Sequence, residues 1–205
     1  MIDAIDFYFD FSSPYGYFAA DAIEAEAARA GRACRWVPIL LGPAFKASGN
    51  QLLIEQPLKG AYSRHDWERL GRLTGIPYTF PDPFPVASVA AARVFWWLDA
   101  SSDGASDGAG AKAFARAVFA GYFAHGRNIG DKAVVAAIAE ETGHDRAAAL
   151  AAMADPAWKA KCRDETEAAI ALGVFGSPFF IIDGEPFWGS DRLPMVRRWL
   201  ETGGW

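Results

Sequence analysis

Ser13 stands where an apolar run, Phe7-Tyr8-Phe9-Asp10-Phe11, gives way to Pro14 and an Ala/Glu-rich stretch. As a helix N-cap it accepts a hydrogen bond from a free backbone N–H, worth about 1 kcal/mol. Pro14 then falls at the first helical position, where its missing N–H costs little. A cap needs no further role. The same helix end also carries about half a positive charge and outward N–H groups, which favour an anion. A hydroxyl there can donate to a thiolate and lower a thiol pKa from its usual value of about 8.5. A nucleophilic serine would need a base and an orienting partner. His65, His125 and His144 sit in no recognisable motif and read as solvated or packed, so a hydrolase triad is a weak reading.

Three further segments carry candidate chemistry. Ser177-Pro178 follows Gly176 and precedes a strand-like run. An X-Pro bond is cis in only about 5% of cases in folded proteins, so an ordinary trans loop is the plain alternative. A cis bond would expose the Ser177 N–H and C=O to an extended peptide. In Trp188-Gly189-Ser190-Asp191-Arg192, Ser190 is expected to cap a last helix, with Asp191 in its first turn. That helix start would also suit a carboxylate, while Asp191 would suit an ammonium. In Phe45-Lys46-Ala47-Ser48-Gly49-Asn50, Lys46 reads as a loop lysine that could meet a substrate carboxylate at a pocket mouth. Asn50 could pair with a peptide ligand.

These segments need elements to position them. Residues 4–11 predict a strand, and the stretch to Ala30 a helix that Gly31 terminates. Residues 34–41 predict a second strand, ending in a Gly42-Pro43 loop. Helices are predicted over roughly 60–74, 86–100, 111–125, 131–142, 145–153 and 155–172. Residues 101–110 are small and polar and read as a surface loop. Strands return at 178–183 and 185–188 around an Asp183-Gly184 turn, and a helix is expected over 191–202. The order strand-helix-strand, helical block, strand-strand-helix predicts a thioredoxin-like α/β unit interrupted by an all-helical insertion. The expected boundaries are 1–42 and 173–205 for the unit and 43–172 for the insertion.

Composition narrows the function classes. A hydrophobic fraction of 52% over 205 residues supports a sizeable core. A net charge of −5 lacks the basic excess of a nucleic-acid binder. No uninterrupted apolar window of about 20 residues predicts a membrane span. Asp3, Asp6 and Asp10 break the first apolar run, unlike a signal peptide. Cys34 and Cys162 form no CxxC pair, which offers neither a disulfide framework nor a zinc motif. A cytoplasmic protein is expected. With serine at the helix start, any reactive sulfur would come from a ligand.

Together the segments resemble the 2-hydroxychromene-2-carboxylate isomerase family. That family stands with the kappa-class glutathione transferases in the DsbA-like branch of the thioredoxin superfamily. The resemblance runs over nearly the whole chain. Its carriers are Phe9-Asp10-Phe11-Ser12-Ser13-Pro14-Tyr15, Phe45-Lys46-Ala47-Ser48-Gly49-Asn50, Gly173-Val174-Phe175-Gly176-Ser177-Pro178 and Phe187-Trp188-Gly189-Ser190-Asp191-Arg192-Leu193. It implies glutathione as cofactor, a small aromatic carboxylate as substrate and a homodimer. It implies Ser13 as the catalytic serine at the glutathione sulfur, and Ser177, before a cis Pro178, as the backbone partner of the cysteinyl part. Ser190 and Asp191 would grip the γ-glutamyl end, Asn50 would lie near glutathione, and Lys46 would face the substrate carboxylate. One departure stands out, since the family usually has an apolar residue where this chain has Ser177. The rival readings are a conjugating kappa-type glutathione transferase, a thiol–disulfide oxidoreductase lacking its own active-site cysteine, and a non-catalytic binding module.

Overall fold

The computed structural model describes residues 4–101 and 108–205. Four strands form one sheet in the order β2-β1-β3-β4. They are β1 (Ile5–Phe9), β2 (Cys34–Pro38), β3 (Phe179–Ile182) and β4 (Glu185–Trp188). β1 runs parallel to β2 and antiparallel to β3, and β3 is antiparallel to β4. α1 (Pro14–Arg29) connects the parallel pair, as such a pair requires a crossover. Asp183 and Gly184 both have positive φ, 55° and 85°, the geometry of a two-residue hairpin turn.

A helical block separates β2 from β3 in sequence. It comprises α2 (Leu41–Ser48), α3 (Lys59–Thr74), α4 (Val89–Ser101), α5 (Ala109–Phe123), α6 (Lys132–Glu141), α7 (Arg146–Ala154) and α8 (Pro156–Ala171), and α9 (Leu193–Thr202) closes the chain. Asp131, Asp145 and Asp155 cap α6, α7 and α8, each carboxylate accepting a first-turn N–H. Of the 101–110 stretch, Ser101 ends α4, Ala109 and Gly110 open α5, and 102–107 lie outside the described residues. Among the described residues no helix is long and apolar enough to cross a membrane.

Aromatic rings join the sheet to this block. Phe7 stacks between Phe9 and Phe180, with centroids 5.0 and 5.6 Å away. Phe9, fully buried, meets Phe95 of α4 at 6.0 Å and Phe119 of α5 at 5.5 Å. On α1, the buried Glu26 takes Arg197 of α9 in a two-pronged pair, with a closest approach of 2.7 Å, and also pairs with Arg29.

Two expectations are corrected. The strand after Cys34 stops at Pro38, and Gly42-Pro43, expected as a loop, lies inside α2. Leu40, the residue before α2, has no capping side chain. The cap comes instead from Asp10, whose Oδ2 accepts the Leu41 N–H at 2.9 Å. Pro43 falls in the first turn, where helix N–H groups have no intrahelical partner, so its lack of one is tolerated. Lys46 is therefore a helical residue, exposed in the last turn of α2. The second correction concerns Ser190, which caps no α-helix. Ser190–Arg192 form a 3-10 turn entered from Gly189 at φ 106°, and α9 begins at Leu193 with Pro194 in its first turn. The preset φ of that proline suits the start of an α-helix.

Two stability effects are expected. Phe9→Ala should cost about 3–5 kcal/mol, read as a lower urea midpoint, because the ring fills the junction of sheet and block. Asp10→Ala should cost about 2–4 kcal/mol by leaving the Ser12 and Leu41 amides without their acceptor. Asp10→Asn, which keeps one acceptor oxygen, should cost less than Asp10→Ala.

Candidate active site

The site forms where β1 ends. Ser13 adopts extended backbone (φ −94°, ψ 113°), and its Oγ accepts the Gly16 N–H at 3.1 Å, as an N-cap does. The same hydroxyl donates to the carbonyl of Ser177 at 3.0 Å. Its one proton is thus placed on the loop before β3. Ser13 is 5% exposed. Neither of its side-chain partners is a base. His65 and His125 are exposed, and His144 is half-buried between α6 and α7. Ser13 therefore lacks the arrangement that would make it a nucleophile.

The Ser177-Pro178 bond is cis. The Ser177 Oγ accepts the Asp10 N–H at 3.0 Å, so this residue is tied to the end of β1 as well as to Ser13. The Pro178 carbonyl accepts the Gly189 N–H at 3.0 Å, which draws the Ser190–Arg192 turn toward the loop. That turn also packs against α1. Asn50 donates from Nδ2 to the Phe175 carbonyl at 3.2 Å, bringing the end of α2 to the same loop. Ser13, Asn50, Ser177, Pro178 and Ser190 are thereby linked in one neighbourhood. Asp191 is exposed, with Arg192 at 3.6 Å. Lys46 lies in the last turn of α2, four residues before Asn50, and its side chain is exposed.

Asp10 is the residue that local reading undervalued. It is 3% exposed. Its Oδ1 accepts both the N–H and the hydroxyl of Ser12 at 2.8 Å, and its carbonyl accepts the Ser13 N–H at 2.9 Å. A lone carboxylate between Phe9 and Phe11 was the available signal, because a buried charge must be hydrogen-bonded. Tyr15 was also missed. Its hydroxyl donates to Asp66 of α3 at 2.9 Å, and its ring lies edge-on to Trp67 at 5.9 Å. Burial, and then the Asp66 carboxylate, raise the Tyr15 phenol above its ordinary range, so it stays protonated. The pair anchors α3 beside the start of α1.

Gly16 and Gly176 are small for packing reasons. A Cβ on Gly16 would stand 3.0 Å from the Ser177 Oγ, and one on Gly176 would run into the indole of Trp188. Both thiols of the chain, Cys34 on β2 and Cys162 on α8, are buried. Burial pushes Cys162 up to about 12, which leaves it a thiol at neutral pH.

Residues 4–201 match the family model of the DSBA-like thioredoxin domain. A 2-hydroxychromene-2-carboxylate isomerase of Sphingobium xenophagum is 30% identical over 202 residues, covering 98% of this chain and 99% of that protein. A glutathione S-transferase kappa 1 of Caenorhabditis elegans is 36% identical over 81 residues, 39% of this chain and 36% of that protein. The solved structure of a 2-hydroxychromene-2-carboxylate isomerase matches with a TM-score of 0.85 at 28% identity, covering 97% of this chain and 95% of that one. The α/β fold with its helical insertion and the nearly full-length isomerase likenesses agree: the chain belongs to the 2-hydroxychromene-2-carboxylate isomerase family, within the DSBA-like thioredoxin fold and related to the kappa-class glutathione transferases.

Proposed function

We propose that this protein is a cytoplasmic, glutathione-dependent isomerase. It interconverts 2-hydroxychromene-2-carboxylate-type acids and trans-o-hydroxybenzylidenepyruvate in aromatic hydrocarbon catabolism, and it works as a homodimer. The observation that carries this reading is the hydroxyl of Ser13 at the head of a 16-residue helix, bonded across to Ser177, in a chain whose own thiols are buried elsewhere. The donor set fits a thiol tripeptide. A hydroxyl and a helix N-terminus suit a thiolate, an exposed carboxylate at Asp191 suits an ammonium, and a carboxamide at Asn50 suits a peptide group.

Glutathione, when bound, would supply a thiolate that adds reversibly to the conjugated carbon of the substrate and so frees the adjacent bond to rotate. The chain's residues hold and tune that group. The Ser13 hydroxyl can turn its proton from the Ser177 carbonyl to the sulfur, stabilising the charged form and lowering the thiol pKa. The Ser177 backbone would pair with the cysteinyl part beside Pro178. Ser190 and Asp191 would hold the γ-glutamyl end, and Lys46 would meet the substrate carboxylate as an exposed cation.

A second reading, a conjugating kappa-type transferase, is favoured by the C. elegans likeness. It uses the same thiolate but keeps the thioether. A thiol–disulfide oxidoreductase is disfavoured by the raised pKa of buried Cys162.

Calorimetric titration should show glutathione binding, and turnover of a hydroxychromene carboxylate should depend on glutathione. Binding without turnover but with accumulating thioether would make the protein a transferase. Absence of binding would end both readings. Ser13→Ala should raise the pKa of the bound thiol by about one unit, which is about tenfold less thiolate below that pKa. The acid limb of the rate profile should then move to higher pH, and an unchanged profile would remove Ser13 from the chemistry.

A further inference from the structure

The side chain of Ser177 has no part in the scheme above, which uses only the backbone of that residue. Its oxygen accepts the Asp10 N–H, a buried donor one residue beyond the end of β1. Its carbonyl accepts the Ser13 hydroxyl. Residue 177 is therefore held at two points, by side chain and by main chain, against residues 10 and 13. An apolar side chain, usual at this position in the resembling family, could accept nothing from Asp10.

The distribution of protons is uneven. A serine hydroxyl has one proton to donate. That of Ser13 goes to the Ser177 carbonyl, while its oxygen takes the Gly16 N–H. The oxygen of Ser177 is engaged by Asp10, yet no acceptor takes its proton among the described residues. The two hydroxyls also border one space. A Cβ built on Gly16 would stand 3.0 Å from the Ser177 Oγ and 3.5 Å from the Ser13 Oγ. Because residue 16 is glycine, the Ser177 loop can approach the first turn of α1 this closely. Ser177 is only partly buried.

We propose that the Ser177 hydroxyl is a second donor to the same thiolate as Ser13, so that the sulfur site of this protein has two hydroxyls. The proposal rests on the glutathione reading above. Each hydrogen bond to the charged form favours it over the neutral thiol and lowers the pKa. A purely structural Ser177, satisfying the Asp10 N–H alone, would affect unfolding but leave the bound thiol unshifted.

Ser177→Thr and Ser177→Val separate these roles, since the two side chains share a shape and differ in the hydroxyl. The full-length variants, checked for folding by urea denaturation, are saturated with glutathione and titrated by the ultraviolet absorbance of the thiolate. Wild type and Ser177→Thr are expected to share one bound-thiol pKa. Ser177→Val should raise it by about one unit, a tenfold loss of thiolate below that pKa. Ser177→Ala, which adds no bulk beside Gly16, should repeat the Val result even if the Val protein folds poorly. Equal pKa values for the Thr and Ala proteins would overturn the proposal. A wild-type protein that gives no thiolate signal with glutathione would defeat the glutathione reading, and this proposal with it.

Discussion

One buried carboxylate organises the region around the site. Asp10 directly follows the central strand, and its two carboxylate oxygens take three hydrogen bonds from Ser12 and Leu41. Its backbone holds Ser13 through the carbonyl and Ser177 through the N–H. A charge in so dry a place is tolerable only when its lone pairs are filled. That requirement fixes where α1 starts, where α2 starts and where the loop before β3 comes to rest. Three of the four segments that carry the candidate chemistry thus share one anchor.

Around this anchor the packing keeps the site from drifting. Phe7 stacks on Phe180 within the sheet, and Phe9 sets its ring against Phe95 of α4 and Phe119 of α5, so the end of β1 is held by close-packed aromatic contacts. Tyr15 ties the first turn of α1 to Asp66 on α3, and Asn50 ties the end of α2 to Phe175. A hydroxyl at a helix end is chemically ordinary, and its use depends on being held rigidly opposite a partner. Here the partner is the Ser177 carbonyl, 3.0 Å away, and glycine at 16 admits the close approach of the Ser177 loop. A solved isomerase structure shares this fold over 95% of its length, which supports the fold assignment.

Much of this was legible locally. The Ser13-Pro14 pair announced a helix start, and the side chain does cap it. Asp183-Gly184 announced a tight turn, and both residues take the left-handed backbone that such a turn needs. The helices of the block appeared near their expected positions because apolar periodicity and capping aspartates lie within a few residues of each other. Two local readings misled. Gly42-Pro43 looked like a loop because its cap, Asp10, stands 31 residues from Leu41 in the chain. Ser190 looked like a cap because serine often is one, but it opens a 3-10 turn, entered from Gly189, that precedes the helix.

From sequence alone came what short-range bonds determine: the strand and helix runs, the turn types, the cap at Ser13 and the absence of a cysteine at the head of α1. Such features follow from residue types within about four positions of one another, where one backbone group meets a side chain next door. Tertiary structure decided the rest. It set the proton of Ser13 on a carbonyl 164 residues away, the hydroxyl of Ser177 on an amide 167 residues away, and Asn50 on a carbonyl 125 residues away. No local pattern encodes those pairings, because each exists only after the aromatic core has folded the two ends of the chain against each other.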